Sequence, residues 1–117
     1  MKIFSRPPRP WNAGMTTTQA VDAIAEHPGD VVLSDGTRIV VRDWGGMYDC
    51  TVMPTYAVGW STGGLERSRE AAIKAAKQRY ATWAAGFMSG LLSNHPDRYE
   101  LARQLAAAIR ECGTEER

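Results

Sequence analysis

The residues of this 117-residue chain that could do chemistry do not form a catalytic pattern. The sequence Gly-Trp-Ser-Thr-Gly at 59–63 matches the G-x-S-x-G pattern, which places a nucleophilic serine on a sharp strand-to-helix turn. Here several residues separate Ser61 from the next predicted helix, and the chain is too short for the sheet of that fold. We therefore interpret the segment as a polar, glycine-rich turn and predict no catalytic residue.

The candidate metal ligands are also too scattered for a structural zinc site, in which ligands come in closely spaced pairs. They are His27, Cys50, His95 and Cys112. Each histidine precedes a proline at a predicted helix boundary, which is typical of cap and turn residues. Two distant cysteines favour reduced thiols in a reducing compartment, and so a cytoplasmic protein. The sequence predicts no metal and no cofactor.

The first fourteen residues carry cations and no acidic residue, and their prolines hold the backbone extended. We predict that residues 1–14 form a basic, proline-rich arm. Exposed tryptophan and arginine are favoured at protein interfaces. The candidate contacts to a partner protein are Arg6, Arg9, Trp11 and Trp44. In the alternative, Trp11 packs on its own domain and the arm is an intramolecular strap.

A second set of basic residues is the candidate contact to nucleic acid. Two of them lie on one face of a predicted strand and the others at the start of the longest predicted helix. They are Arg38, Arg42, Arg67, Arg69, Lys74 and Lys77. Some DNA-binding proteins read a groove with a sheet face of this kind.

Turn residues and hydrophobic periodicity predict a short helix followed by an antiparallel sheet. Thr16 and Gln19 have capping-box spacing, which predicts a helix over 17–27. Asp35-Gly36 favours a two-residue hairpin. A short apolar run predicts a strand over 31–33, and alternating polarity predicts strands over 37–44 and 47–53. The alternating residues at 56–60 form either a last strand or a continuation of the third strand that bends at Pro54.

Two longer helices are predicted in the C-terminal half. Ser68 is the N-cap candidate of a helix of roughly 24 residues. The apolar stripe of this helix, which places Trp83 in the core, consists of Ile73, Ala76, Tyr80, Trp83, Phe87 and Leu91. The last helix begins near 95–97, and its stripe consists of Leu101, Leu105, Ala108 and Cys112.

These elements predict one α+β domain over 15–113. Its small antiparallel sheet of three or four strands packs against a long helix and a C-terminal helix, with a short N-terminal helix in addition. Residues 114–117 are predicted to fray. No apolar run has the roughly 18–20 residues that span a bilayer, so no membrane partner is expected.

Composition and motifs favour a non-enzymatic protein-interaction module. Small accessory or inhibitor proteins of phages and mobile elements, which bind a larger protein assembly, are an analogy at the level of class. The alternative is nucleic-acid binding through the basic sheet face and helix start. A net charge of +1, divided into local blocks of either sign, weighs against a dedicated nucleic-acid binder. A homodimer is left open.

Overall fold

The order of the elements follows the predicted α+β plan. A computed structural model describes residues 11–90 and 92–113. The elements are α1 (Thr17–Glu26), β1 (Val31–Val32), β2 (Arg38–Asp43), β3 (Tyr48–Met53), β4 (Trp60–Ser61), α2 (Arg69–Gly90), a 3₁₀ turn (Leu92–Asn94) and α3 (Arg98–Gly113). The predicted fold class is confirmed. Most of the predicted arm, residues 1–10, and the predicted tail, 114–117, lie outside the described residues.

The four strands form an antiparallel meander in the order β1-β2-β3-β4. Ile39 pairs with Val52 across β2 and β3, and Val41 pairs with Cys50. These side chains lie on the face that packs against the helices, which we call the helix face. Because strand side chains alternate, Val40 and Arg42 lie on the opposite face of the sheet, which we call the outer face.

The β1–β2 hairpin closes through three residues, and the predicted two-residue turn is wrong. The amide of Gly36 donates to the Leu33 carbonyl, and the amide of Leu33 donates to the Thr37 carbonyl. Gly36 has a φ of 86°, the left-handed conformation that follows a type I turn in three-residue hairpins. The Asp35 side chain accepts a hydrogen bond from the Thr37 amide, which favours this longer turn.

The predicted last strand over 56–60 is also wrong, because β4 contains only Trp60 and Ser61. Residues 54–59 form a loop in which the Tyr56 hydroxyl is held by buried partners and Val58 is 87% exposed. Pro54 has no amide hydrogen to donate to a neighbouring strand, so the sheet is interrupted there.

Helix α2 is the central element of the core. Ser68 caps it as predicted, since its Oγ accepts a hydrogen bond from the Ala71 amide. The buried face consists of Ala72, Ala76, Tyr80 and Ala84. Trp83, predicted to lie in the core, is only half-buried, because the small alanines face the sheet and the larger rings flank them.

Helix α3 packs against α2 and completes the core. All four residues of its predicted stripe are buried: Leu101, Leu105, Ala108 and Cys112. The short connection through the 3₁₀ turn lets α3 fold back on α2. Within the described residues, no helix is both long and apolar enough to cross a membrane.

Helix α1 lies on the outer face of the sheet. The predicted capping box of Thr16 and Gln19 is present. No residue of α1 is fully buried. Its C-terminal end is held by Arg38, whose guanidinium donates to the carbonyls of Ala25 and His27.

Candidate functional site

Four aromatic side chains form a contiguous cluster beside the buried face of α2. Trp83 is at its centre, with ring centroids 6.0 Å from Tyr56, 6.1 Å from Trp60 and 5.4 Å from Phe87. These separations are typical of favourable aromatic pairs. All four side chains are half-buried, so the cluster has a surface toward solvent. We call Tyr56, Trp60, Trp83 and Phe87 the aromatic cluster.

An open groove of about 460 Å³ lies against the cluster, and we call it the aromatic groove. It is lined by Trp60, Gln78, Arg79, Thr82 and Trp83. Helical spacing places the four α2 residues of this set on one flank of the helix. The Arg79 guanidinium donates to the Thr62 carbonyl, which ties α2 to the loop after β4. The groove therefore offers flat aromatic walls with a few polar groups at its rim.

A second depression, of about 250 Å³, adjoins the aromatic cluster at Tyr56. We call it the acidic groove, and it is lined by Thr55, Tyr56, His95, Asp97, Glu100, Leu101 and Gln104. Glu100 forms an exposed ion pair with Arg103, whereas Asp97 forms no ion pair with any described residue. Aromatic surface and negative charge thus lie next to one another.

A buried hydrogen-bond network lies below the cluster, and we call it the Asp35 network. The Asp35 carboxylate accepts hydrogen bonds from the Tyr80 hydroxyl, the Tyr56 hydroxyl (3.1 Å) and the Thr37 amide (2.9 Å). The Thr37 hydroxyl donates to the Tyr80 oxygen at 3.1 Å. The network joins the β1–β2 turn, the 54–59 loop and α2, so it fixes the position of Tyr56.

Both tyrosines of this network remain protonated well above neutral pH. Burial is the main cause that raises the pKa of Tyr80, and its hydrogen bond to Asp35 raises that pKa further. Burial also raises the pKa of Tyr56. Every polar side chain of the network has a partner within it, which is typical of a structural role.

The predicted partner-binding tryptophans meet on the outer face of the sheet. Trp11 and Trp44 make an edge-to-face contact with centroids 6.3 Å apart, and the Arg42 guanidinium lies 6.0 and 5.6 Å from their centroids. The Trp44 indole N–H donates to the Asp49 carboxylate at 2.8 Å. Both tryptophans are half-buried, as the intramolecular alternative for Trp11 expects. Arg6 and Arg9 lie outside the described residues.

The structure places the predicted nucleic-acid contacts in two groups. Three are engaged within the molecule: Arg38 at the end of α1, Arg42 with Asp49 and Ser61, and Arg69 with Asp30 at 2.9 Å. The Arg42 and Asp49 side chains are only 14% and 6% exposed. Arg67 and Lys74 are exposed, and Lys77 is half-buried in a shallow groove with Glu70 and Ile73. The structure therefore does not bring all six cations to one surface.

The two histidines and two cysteines considered as candidate metal ligands have local structural roles. The Nδ1 atoms of His27 and His95 accept hydrogen bonds from the amides of Gly29 and Asp97, which confirms them as turn residues. Cys50 and Cys112 are buried and not disulfide-bonded. Among the described residues no three His, Cys, Asp or Glu side chains could hold a metal ion.

The G-x-S-x-G segment has the local structure of a turn after β4. Ser61 accepts a hydrogen bond from the Gly63 amide at 3.2 Å. Since α2 begins only at Arg69, the serine is not on a strand-to-helix turn. This placement agrees with the predicted polar turn.

The aromatic groove was not predicted from the sequence. Trp83 and Phe87 were assigned to the core stripe, and Tyr56 and Trp60 to a regular strand. The available signal was the spread of the large stripe residues around α2, with alanines between them at 72, 76 and 84. No protein-family model matches this chain, and no curated protein or solved structure matches it either.

Proposed function

We propose that this chain is a non-enzymatic protein-interaction module whose partner protein docks at the aromatic groove. The observation that carries the proposal is the aromatic cluster, whose rings are held in mutual contact yet reach solvent. Tryptophan and arginine are among the residues that dominate the binding energy of protein interfaces, and Trp60, Trp83 and Arg79 line the groove. A small accessory or inhibitor protein of a larger assembly fits this description.

The Asp35 network supports the proposal because it holds Tyr56, whose ring stacks on Trp83 in the wall of the groove. Tyr56 is anchored through its hydroxyl, while its ring stacks on Trp83 and packs at a tilt against Phe87. A preformed surface loses little conformational entropy when a partner binds, so more of the contact energy appears as affinity.

A comparison of two variants by pull-down tests the proposal. Thr82→Arg places a bulky cation at the rim of the groove, whereas Ala85→Arg places the same side chain at an exposed position of α2 that does not line it. We expect to find proteins that the wild type and Ala85→Arg both retain. Thr82→Arg should fail to retain the same proteins. If both variants retain the same proteins as the wild type, no partner docks at this groove.

Nucleic-acid binding is the alternative proposal, and it rests on Arg67, Lys74 and Lys77. Among the described residues they form neither an ion pair nor a side-chain hydrogen bond, whereas Arg38 donates to the backbone carbonyls of Ala25 and His27. Phosphate contacts would make binding strongly dependent on salt. A gel shift at low salt that disappears in the triple alanine variant would support this alternative, and an unshifted wild type would exclude it.

A further inference from the structure

The aromatic groove carries a positive charge that no described carboxylate neutralises. Of the described residues that line the groove, Arg79 alone is charged. Its guanidinium donates to the Thr62 carbonyl, and among the described residues it forms no ion pair. A guanidinium has five N–H donors, and the Arg79 side chain is exposed, so donors beyond the one bound to Thr62 are available to an occupant. The backbone contact holds this cation beside Trp60 and Trp83.

The helix that forms the groove is basic as a whole. Residues 67–90 contain five basic side chains and one acidic side chain, Glu70. Within the described part of the chain, Arg69 is the one cation of this set with an ion pair, which it forms with Asp30. Glu70 lies with Lys77 in a separate shallow groove, on the flank of α2 opposite Arg79. The aromatic groove is therefore complementary in charge to a negatively charged occupant.

The tryptophan walls of the groove favour an apolar side chain as the anchor of that occupant. The Trp60 and Trp83 rings have centroids 6.1 Å apart and are inclined at 44° to each other. The groove volume of about 460 Å³ lies within the range of about 300–1,000 Å³ that is typical of ligand pockets. A large side chain can therefore enter between the rings while its neighbours reach Arg79.

A nucleic-acid strand matches this groove less well than an acidic peptide does. Single strands are bound by aromatic platforms along a positively charged groove that follows the backbone. Here Arg42 is engaged by Asp49 and Ser61. Arg38 is engaged by backbone carbonyls. The sheet therefore does not extend the charge of Arg79 into a basic track, and one or two carboxylates suffice to complement the groove.

We infer that the aromatic groove binds an acidic segment of the partner protein, in which an apolar side chain lies between Trp60 and Trp83 and a neighbouring carboxylate binds Arg79. This inference rests on the proposed function of the groove and names the chemistry of its occupant. Arginine and carboxylate form charge-assisted, often paired hydrogen bonds, which orient the occupant as well as attract it. Residues 1–10 of this chain contain three basic residues and no acidic residue, so charge does not favour them as the occupant.

Binding of short synthetic peptides to the full-length chain, measured by calorimetry at low salt, tests the inference. The peptides have the form Asp-Glu-X-Asp-Glu with Leu, Phe or Trp at X, and their amide controls carry Asn and Gln instead of Asp and Glu. The best acidic peptide is expected to bind the wild type ~10-fold or more tightly than its amide control. If no acidic peptide binds with a Kd below about 1 mM, or if the amide control binds equally well, the inference is wrong.

Two matched variants test whether the peptide recognises Arg79. Arg79→Gln should reduce the preference for the acidic peptide to ~2-fold or less, because it removes the cation of the groove. Lys77→Gln removes a cation from the opposite flank of the same helix and should keep the preference. A preference that Arg79→Gln leaves unchanged, or that both variants reduce equally, would overturn the inference.

A second pair of variants keeps Arg79 and its contact with Thr62. Thr82→Glu places a carboxylate three residues after Arg79, where it can pair with the guanidinium, and Thr82→Gln places a neutral side chain of nearly the same size there. The preference for the acidic peptide should fall in Thr82→Glu and persist in Thr82→Gln. An equal preference in the two variants contradicts the inference.

The outcomes separate an acidic peptide from a nucleic acid and this inference from the proposed function. If a ten-nucleotide oligothymidylate binds more tightly than every acidic peptide, and Arg79→Gln abolishes that binding, nucleic acid is the occupant and the inference is wrong. If Thr82→Arg loses a protein in the pull-down but the peptide preference does not depend on Arg79, the groove docks a partner that is not acidic. If the peptide preference depends on Arg79 but Thr82→Arg loses no protein, the recognition of acidic segments is supported and the proposed function is wrong.

Discussion

At the scale of single residues, a buried carboxylate such as Asp35 is costly unless hydrogen-bond donors surround it. Asp35 is 6% exposed, and three donors from three different segments reach its two oxygens. The hydroxyl of Tyr80 is central because it also contacts Thr37 and Tyr56. Loss of one hydroxyl therefore leaves several buried polar groups short of a partner.

We expect Tyr80→Phe to lower the free energy of unfolding by about 1–3 kcal/mol, because it removes a donor to a buried charge and keeps the ring. Tyr99→Phe removes a hydroxyl from a tyrosine that is 80% exposed and should change stability by less than about 0.5 kcal/mol. Chemical denaturation at neutral pH measures both. Equal stability of Tyr80→Phe and the wild type would show that the Asp35 network contributes little.

Because of the Cys50 thiol, the free energy of unfolding should fall at alkaline pH. Burial raises its pKa from 9.0 to about 12, and the neighbouring Asp49 carboxylate raises it as well. Between these values the unfolded chain has released the proton and the folded chain still holds it. The free energy of unfolding is therefore constant below about pH 9 with respect to this group, and it falls by up to about 1.4 kcal/mol per pH unit above it.

Denaturation of the wild type and Cys50→Ala at about pH 8 and about pH 10 checks this prediction, because the contribution of the tyrosine hydroxyls is common to both proteins and cancels in the comparison. The variant is expected to be less stable at the lower pH, since it leaves a cavity, but to lose less stability between the two pH values. If the wild type and the variant lose the same amount of stability, a group other than Cys50 causes the sensitivity to alkaline pH.

At the scale of elements, α2 approaches the sheet through small side chains. Ala72, Ala76 and Ala84 are each at most 2% exposed, and Tyr80 lies between them. Small residues allow close packing of the helix, so the large rings of Trp83 and Phe87 remain at its flank. The aromatic groove thus follows from the way in which α2 is seated on the sheet.

We expect Ala76→Leu to destabilise the protein by about 1–3 kcal/mol, since the added isopropyl group has no space between α2 and the sheet. Ala85→Leu makes the same change at an exposed position of the same helix and should cost less than about 0.5 kcal/mol. Thermal or chemical denaturation compares the two. Similar stabilities would mean that the α2–sheet contact is not tightly packed.

At the scale of the whole molecule, Trp11 ties the chain before α1 to the outer face of the sheet. Its ring contacts Trp44 and lies near the Arg42 guanidinium, which in turn is held by Asp49 and Ser61. The N-terminal end of the described chain is therefore anchored by interactions that reach β2, β3 and β4. Trp11, which belongs to the arm predicted over 1–14, therefore packs on the folded domain.

Two truncations measure this anchor. Removal of residues 1–12 should lower the free energy of unfolding by about 1–2 kcal/mol relative to removal of residues 1–10, because only the longer deletion removes the aromatic and cation–π contacts of Trp11. Chemical denaturation of the two truncated chains measures this difference. Identical stabilities would mean that the Trp11 contact is weak.

The sequence by itself determined the elements whose signals are local. The capping box of α1, the N-cap Ser68 and the core stripe of α3 each depend on residues within a few positions of one another, and the structure confirms them. The α+β class followed from the order of these elements. Local spacing is sufficient there because helix caps and helix faces are set by residues within a few positions of one another.

The tertiary structure alone decided which side chains become a site. Periodicity could not show that alanines, rather than Trp83, face the sheet, because both stripes repeat at helical spacing. Nor could it show that Tyr56 leaves the strand pattern to reach Asp35, or that Arg38 and Arg42 bind partners within the molecule. These outcomes depend on contacts between residues distant in sequence, whose positions are set only when the sheet and helices pack.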